Sequence, residues 1–153
     1  MFADEGAKVI AVSRTAEKLN KAVAELNRPN ITPFPMDCGV EDDWKRLVEF
    51  IKKNYGEIDI LVNNAGIEAF NLVQDITEEE WDKVLDVDLK GEFLCAKYVL
   101  PHMIEQKSGK IINISSIYGY QGAPMVAHYC AAKFGVVGFT QSLAREVAEH
   151  NIN

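Results

Sequence analysis

Cysteine, basic clusters and long apolar runs are scarce in this sequence, and each shortage removes a class of protein. There are three cysteines, Cys38, Cys95 and Cys130. An odd number, with no C-x-x-C pair and no metal-ligand spacing to His102, His128 or His150, argues against a disulfide framework and against a metal site. The three read as reduced core thiols of a cytoplasmic protein. Lys and Arg number 16 against 23 Asp and Glu, a formal charge of −7, and they are scattered. The electrostatic footprint of a nucleic-acid partner is therefore missing, and an anionic membrane surface is equally unsuited. No stretch approaches the ~18 consecutive apolar residues of a membrane span. Residues 1–10 carry Asp4, Glu5 and Lys8 where a secretion signal needs an apolar run, so the protein is expected to be soluble and unexported. No repeat, low-complexity tract or linker divides the chain.

What is present is the material of one domain, 153 residues of which 48% are hydrophobic, enough for a sizeable core. Residues 8–13 hold a brief apolar run (Val9, Ile10, Ala11, Val12) that reads as a buried strand, after a 2–5 segment that looks like the tail of a helix. Residues 15–27 place Leu19, Val23 and Leu26 on one face, an amphipathic helix stopped by Pro29. Residues 31–36 form the next strand. Residues 40–54 repeat the helical pattern with Trp44, Leu47, Val48 and Ile51, and Glu41, Asp42 and Asp43 suit the positive end of its dipole. Residues 58–62 are a further strand, followed by Asn63-Asn64-Ala65-Gly66. From Thr77 a capping box with Glu80 opens a helix that extends toward Lys107, interrupted near Gly91 and Pro101. Residues 110–115 read as a strand, 118–124 as a loop and 125–150 as a last helix.

Strands apolar on both faces, alternating with amphipathic helices, predict an α/β fold, a parallel sheet between two helical layers. In such a sheet ligands bind beyond the carboxyl ends of the strands. Those ends here are Ser13-Arg14, Asp37-Cys38, Asn63 to Gly66 and Ser115-Ser116, all polar or small. Singly, each is accounted for as a turn or a strand end; four in succession point to a site. In the last helix Tyr129 and Lys133 lie four apart on one face. A positive charge ~6 Å from a phenol, at an effective dielectric of ~20, favours phenolate by roughly 2–3 kcal/mol, or about two pKa units. Tyr129 is then a usable proton donor and acceptor.

N-N-A-G at 63–66 after an apolar strand, Ser116, Y-x-x-x-K at 129–133 thirteen residues later and the closing F-x-Q-S-L-A-R-E together resemble the short-chain dehydrogenase/reductase family. The resemblance covers the whole chain, and within the family it is to the 3-oxoacyl-carrier-protein reductase and sugar or secondary-alcohol dehydrogenase types. It implies a Rossmann-like dinucleotide-binding domain over residues 1–153 and interconversion of a carbonyl and a secondary alcohol by hydride transfer. By the resemblance Tyr129 is the proton donor, Lys133 lowers its pKa and holds the nicotinamide ribose, and Ser116 steadies the substrate oxygen. Asn64, Ala65 and Gly66 would line the cofactor, and Asp37 with Cys38 would meet the adenine. A family member using NAD commonly carries an acid after the first visible strand; Ser13-Arg14 stands there, and a guanidinium suits the 2′-phosphate of NADP(H). NAD(H) remains possible. A small-molecule carbonyl or alcohol is the implied substrate. A homodimer or homotetramer through the two long helices is the implied assembly.

Two positions depart from the family pattern. Asp88 stands in Val87-Asp88-Leu89-Lys90-Gly91 where the family has a catalytic Asn. An ionised carboxylate there is expected to raise the Tyr129 pKa. The glycine-rich turn T-G-x-x-x-G-x-G and the strand before it are absent from the sequence, as is the family's substrate region beyond Asn153. That strand belongs between the 8–13 and 58–62 strands. Three readings compete: part of a short-chain oxidoreductase, which the joint presence of Ser116, Tyr129 and Lys133 favours; a truncated, non-catalytic scaffold acting through helix–helix association; and a nucleotide-binding module without chemistry.

Overall fold

The apolar runs become strands and the amphipathic stretches helices in the computed structural model, which describes residues 1–153. The chain runs β1 (Val9–Ser13), α1 (Ala16–Leu26), β2 (Ile31–Pro35), α2 (Glu41–Asn54), β3 (Ile60–Asn63), α3 (Glu78–Leu85), a π-turn (Asp86–Lys90), α4 (Gly91–Gln106), β4 (Lys110–Asn113) and α5 (Ala127–Val147). Short 3-10 turns occupy Phe2–Glu5, Val73–Asp75, Ile117–Gly119 and Ala148–His150. Three expectations shift. Residues 2–5 are a 3-10 turn rather than an α-helical tail. Helix α1 stops before Pro29, at Asn27, whose left-handed backbone (φ 47°) lets its N–H close on the Ala24 carbonyl. The break foreseen near Gly91 is the π-turn, after which α4 runs on through Pro101.

The strands pair in parallel, β1 with β2 from Val9↔Ile31 to Ser13↔Pro35, and β3 with β4 from Ile60↔Lys110 to Asn63↔Asn113. They form two separate two-stranded sheets. Pro33 and Pro35 fit β2 because an edge strand has donors to spare. Between β1 and β3, where the missing strand is expected, lies a cleft of about 840 Å³ lined by Ile10 and Val12 on one side, Leu61 and Val62 on the other, and Trp44 and Cys95. Each of the two flanking strands therefore has an edge without a ladder partner.

One core joins the halves. Trp44, Leu47 and Val48 of α2 pack with Leu94, Val99 and Met103 of α4 and with Leu143 and Val147 of α5. Leu61 and Ile111 turn into that core. The expected burial of both strand faces holds on that side only: Ile60, Val62, Ile112 and Ile114 are each more than 40% exposed. Period-2 alternation sends these residues to the opposite face, which no helix of this chain fully covers.

Candidate active site

Tyr129 stands in the first turn of α5, and Lys133 follows one turn on with only 4% of its surface exposed. The Lys133 ammonium donates to the Ile114 carbonyl at 3.0 Å and lies 5.7 Å from the centre of the Tyr129 ring. Ser115 donates its hydroxyl to the Lys133 carbonyl at 3.1 Å, binding the strand end to the helix. The Ser116 hydroxyl accepts from the Tyr118 N–H at 3.3 Å and so caps the following 3-10 turn. The Tyr118 ring packs edge-on against Tyr129, with centroids 6.3 Å apart. Gly119 makes this approach possible, because a Cβ there would lie 2.4 Å from the Ser115 hydroxyl and 2.9 Å from the Lys133 carbonyl. A cavity of about 230 Å³ opens between Asn64, Gly66, Glu68, Ser115, Tyr129 and Lys133.

The Tyr129 phenol is held above its ordinary pKa of 10.0, not below it. Burial is the largest cause, since it disfavours phenolate; the Ser116 hydroxyl works in the opposite sense, and the Asp88 and Glu68 carboxylates add to the rise. The expected depression by Lys133 is overturned because the lysine is committed to the Ile114 carbonyl while desolvation acts on the whole ring. The effect foreseen for Asp88 has the expected sign.

Asp88 is fully buried in the π-turn. Its Oδ1 accepts the Ile67 N–H at 2.7 Å, and its Oδ2 has no partner. Burial raises its pKa, while the Ile67 N–H and Lys133 oppose that rise. Its carboxylate thus pins the loop leaving β3 to the helical run. Gly66 sits close by, where a Cβ would come 3.3 Å from Oδ1.

The other predicted contacts collect at the ends of β1 and β2. Ser13 closes β1 and Arg14 follows it exposed. Asp37 Oδ1 accepts the Gly39 N–H at 2.9 Å, and the Asp37 N–H donates to Asp43. The Cys38 carbonyl accepts from the Trp44 indole at 2.8 Å. Burial first and Asp37 second push the Cys38 thiol up to about 11, with Arg14 opposing them. Cys38, Asn64 and Ala65 all line the cleft. The structure therefore gathers Asn64, Gly66, Asp88, Ser116, Tyr129 and Lys133 in one place. It holds Ser13, Arg14, Asp37 and Cys38 in a second place across the cleft.

The sequence marks His128 as a polar residue at a helix start and Glu80 as a capping residue, without showing that they meet. His128 is fully buried; its Nδ1 accepts the Tyr129 N–H at 3.0 Å, leaving Nε2 to donate to Glu80 at 3.1 Å. Asn71 donates to both Glu80 oxygens, and its N–H donates to the Met125 carbonyl at 2.9 Å. Glu80 thus holds the start of α5. The capping box is half realised, since Thr77 accepts the Glu80 N–H while the Glu80 side chain turns away. Glu92 is the other omission, 3% exposed with neither oxygen partnered. A Glu four residues from Asp88 amid apolar neighbours was its available signal.

All of residues 1–153 match the family model described as short chain dehydrogenase. The chain belongs to that family. It is 42% identical over 154 residues to a 3-oxoacyl-acyl-carrier-protein reductase of Thermotoga maritima, with 99% of this chain and 63% of the relative covered. A reductase of the same description from Staphylococcus epidermidis is 39% identical over the same shares. Among solved structures, a short-chain dehydrogenase of Bacillus anthracis superimposes with a TM-score of 0.91 at 37% identity, covering 95% of this chain and 62% of that one. One from Streptomyces avermitilis gives 0.91 at 28%, covering 98% and 55%. The chain thus spans less than two thirds of the length of these short-chain dehydrogenases. Its Rossmann-type fold is theirs.

Proposed function

We propose that these residues encode the catalytic half of an NAD(P)-dependent oxidoreductase that interconverts a small carbonyl compound and a secondary alcohol. The observation that carries this reading is the convergence of Tyr129 and Lys133 on one cavity beside Asn64 and Gly66, with the Ser116 hydroxyl acting on the Tyr129 phenol. The nicotinamide, when bound, supplies or takes up the hydride. Tyr129 gives its phenolic proton to the carbonyl oxygen during reduction and recovers it in oxidation. A raised pKa keeps that proton in place at neutral pH. Ser116 donates to the same oxygen as charge gathers there. Lys133 is held by the Ile114 carbonyl near the phenol, where its ammonium can meet the ribose hydroxyls. Arg14, Asp37 and Cys38 would take the adenosine end across the cleft. We assign NADP(H) over NAD(H) because an exposed guanidinium, and no acid, follows β1.

The protein is assigned to the cytoplasm as a homodimer or homotetramer built on α4 and α5, where Phe93 and Phe134 are each 47% exposed. The exposed Phe93 and Phe134 support a second reading, a scaffold that retains the fold and associates through its helices without turnover.

A chimera decides between them: residues 1–153 replace the matched segment of the Thermotoga reductase, and NADPH oxidation is followed with a carbonyl substrate. Turnover that falls by about 10²–10⁴-fold in Tyr129→Phe is the expected result. Equal turnover in both proteins rejects the assignment of Tyr129. A folded chimera that binds NADPH without turnover supports the scaffold.

A further inference from the structure

Three charged side chains are buried in this molecule apart from any surface ion pair: Asp88 at 0%, Glu92 at 3% and Lys133 at 4% exposure. Asp88 lies in the π-turn and Glu92 one turn later on the same side of the helical run. Between them the two carboxyl groups have one hydrogen-bond donor, the Ile67 N–H on Asp88 Oδ1. Asp88 Oδ2 and both Glu92 oxygens are buried without a partner. A buried carboxylate lacking donors is costly, and two buried four residues apart on one helical run cannot both ionise cheaply. One cation, Lys133, faces two acids, so charge balance leaves one proton to be held.

We propose that Asp88 and Glu92 form a buried, electrostatically linked carboxyl couple behind the Tyr129–Lys133 site that carries one proton at neutral pH, with Glu92 as its holder. Asp88 is the anionic member because it has the backbone donor and Glu92 has none. Glu92 is a positioning residue acting through Asp88 and Lys133; it does not touch the reacting atoms. Its environment agrees: burial drives its carboxyl to about 7, with Lys133 opposing and Asp88 reinforcing. The charged or titratable groups around the couple are Lys133 and His128 from α5, Glu68 from the loop after β3, and the Cys95 thiol, which senses Glu92. Below the couple's upper titration the Asp88–Glu92–Lys133 group is neutral. Above it the group carries one net negative charge, which opposes phenolate at Tyr129.

The importance of the couple for catalysis rests on the function proposed above, whereas its existence does not. The test therefore uses titration, not turnover. Side-chain carboxyl ¹³C shifts of the 153-residue chain are followed from pH 3 to 9 in the wild type, Asp88→Asn and Glu92→Gln. Expected are a Glu92 midpoint near 7, its fall by at least about half a unit in Asp88→Asn, and an Asp88 midpoint left nearly unmoved in Glu92→Gln, because Glu92 is still neutral while Asp88 titrates. Half a unit is a roughly threefold change in proton affinity. A Glu92 midpoint in the ordinary carboxylate range overturns the proposal, as does a raised midpoint that Asp88→Asn leaves unmoved. Loss of turnover in the chimera with these titrations intact would reject the catalytic reading alone.

Discussion

Arg14 and Tyr129 show two ways in which a side chain's surroundings set its chemistry. The role proposed for Arg14 rests on one local pattern, a guanidinium directly after a strand. Replacing it by Asp in the chimera should weaken NADPH by about 10–100-fold, the value of a charged hydrogen bond of roughly 1.5–3 kcal/mol. NADH should be little affected; fluorescence titration with both cofactors measures the ratio, and an unchanged ratio would mean that Arg14 does not read the 2′-phosphate. Tyr129 was legible as to identity but not as to ionisation. The spacing to Lys133 carries no information on burial, and burial is the largest influence on the phenol. Glu92 was invisible for the same reason. Its state depends on whether any donor reaches it, and that is a fact about neighbours distant in sequence.

At the scale of elements, strand and helix positions followed from periodicity, and most predicted limits fell within one or two residues of those observed. The junction between α3 and α5 did not. S/T-x-x-E reads as a box closed within one helix, yet Glu80 leaves its own N-terminus for Asn71 and the buried His128. The Asn71 amide is the largest cause of its lowered pKa, followed by His128. Glu80→Ala should strand the imidazole donor and the Asn71 amide, costing about 1–3 kcal/mol. Urea unfolding followed by circular dichroism measures that cost, and a loss confined to a few tenths of a kcal/mol would show that water replaces the carboxylate. Glu80→Gln, which keeps an acceptor oxygen, should restore part of it.

For the whole molecule, the decisive feature is the cleft between two parallel strand pairs. One wall carries Cys38 and the other Asn64 and Ala65, the groups proposed to meet the two ends of a dinucleotide, and residues 1–153 place no glycine-rich turn between them to present backbone N–H groups to a pyrophosphate. The 153-residue chain should therefore bind NADPH weakly, with no saturation in the micromolar range. Trp44 is a suitable reporter, since it lines the cleft and donates its indole N–H to Cys38. Micromolar saturation of its fluorescence would show that the cleft alone suffices to hold the cofactor.

The sequence by itself determined the order of strands and helices, the polar and small residues at the strand ends, and the spacing of Tyr129, Lys133 and Ser116. These are carried by short-range patterns, which survive without knowledge of distant contacts. The tertiary structure alone decided that Asp88 pins the Ile67 loop, that His128 and Glu80 fasten the start of α5, and that Lys133 turns to Ile114. It also decided that burial outweighs the nearby ammonium at Tyr129. The physical reason is one of range: hydrogen-bond partners 19 to 48 residues apart and the desolvation of a charge depend on how the chain packs, and neither has a local signature.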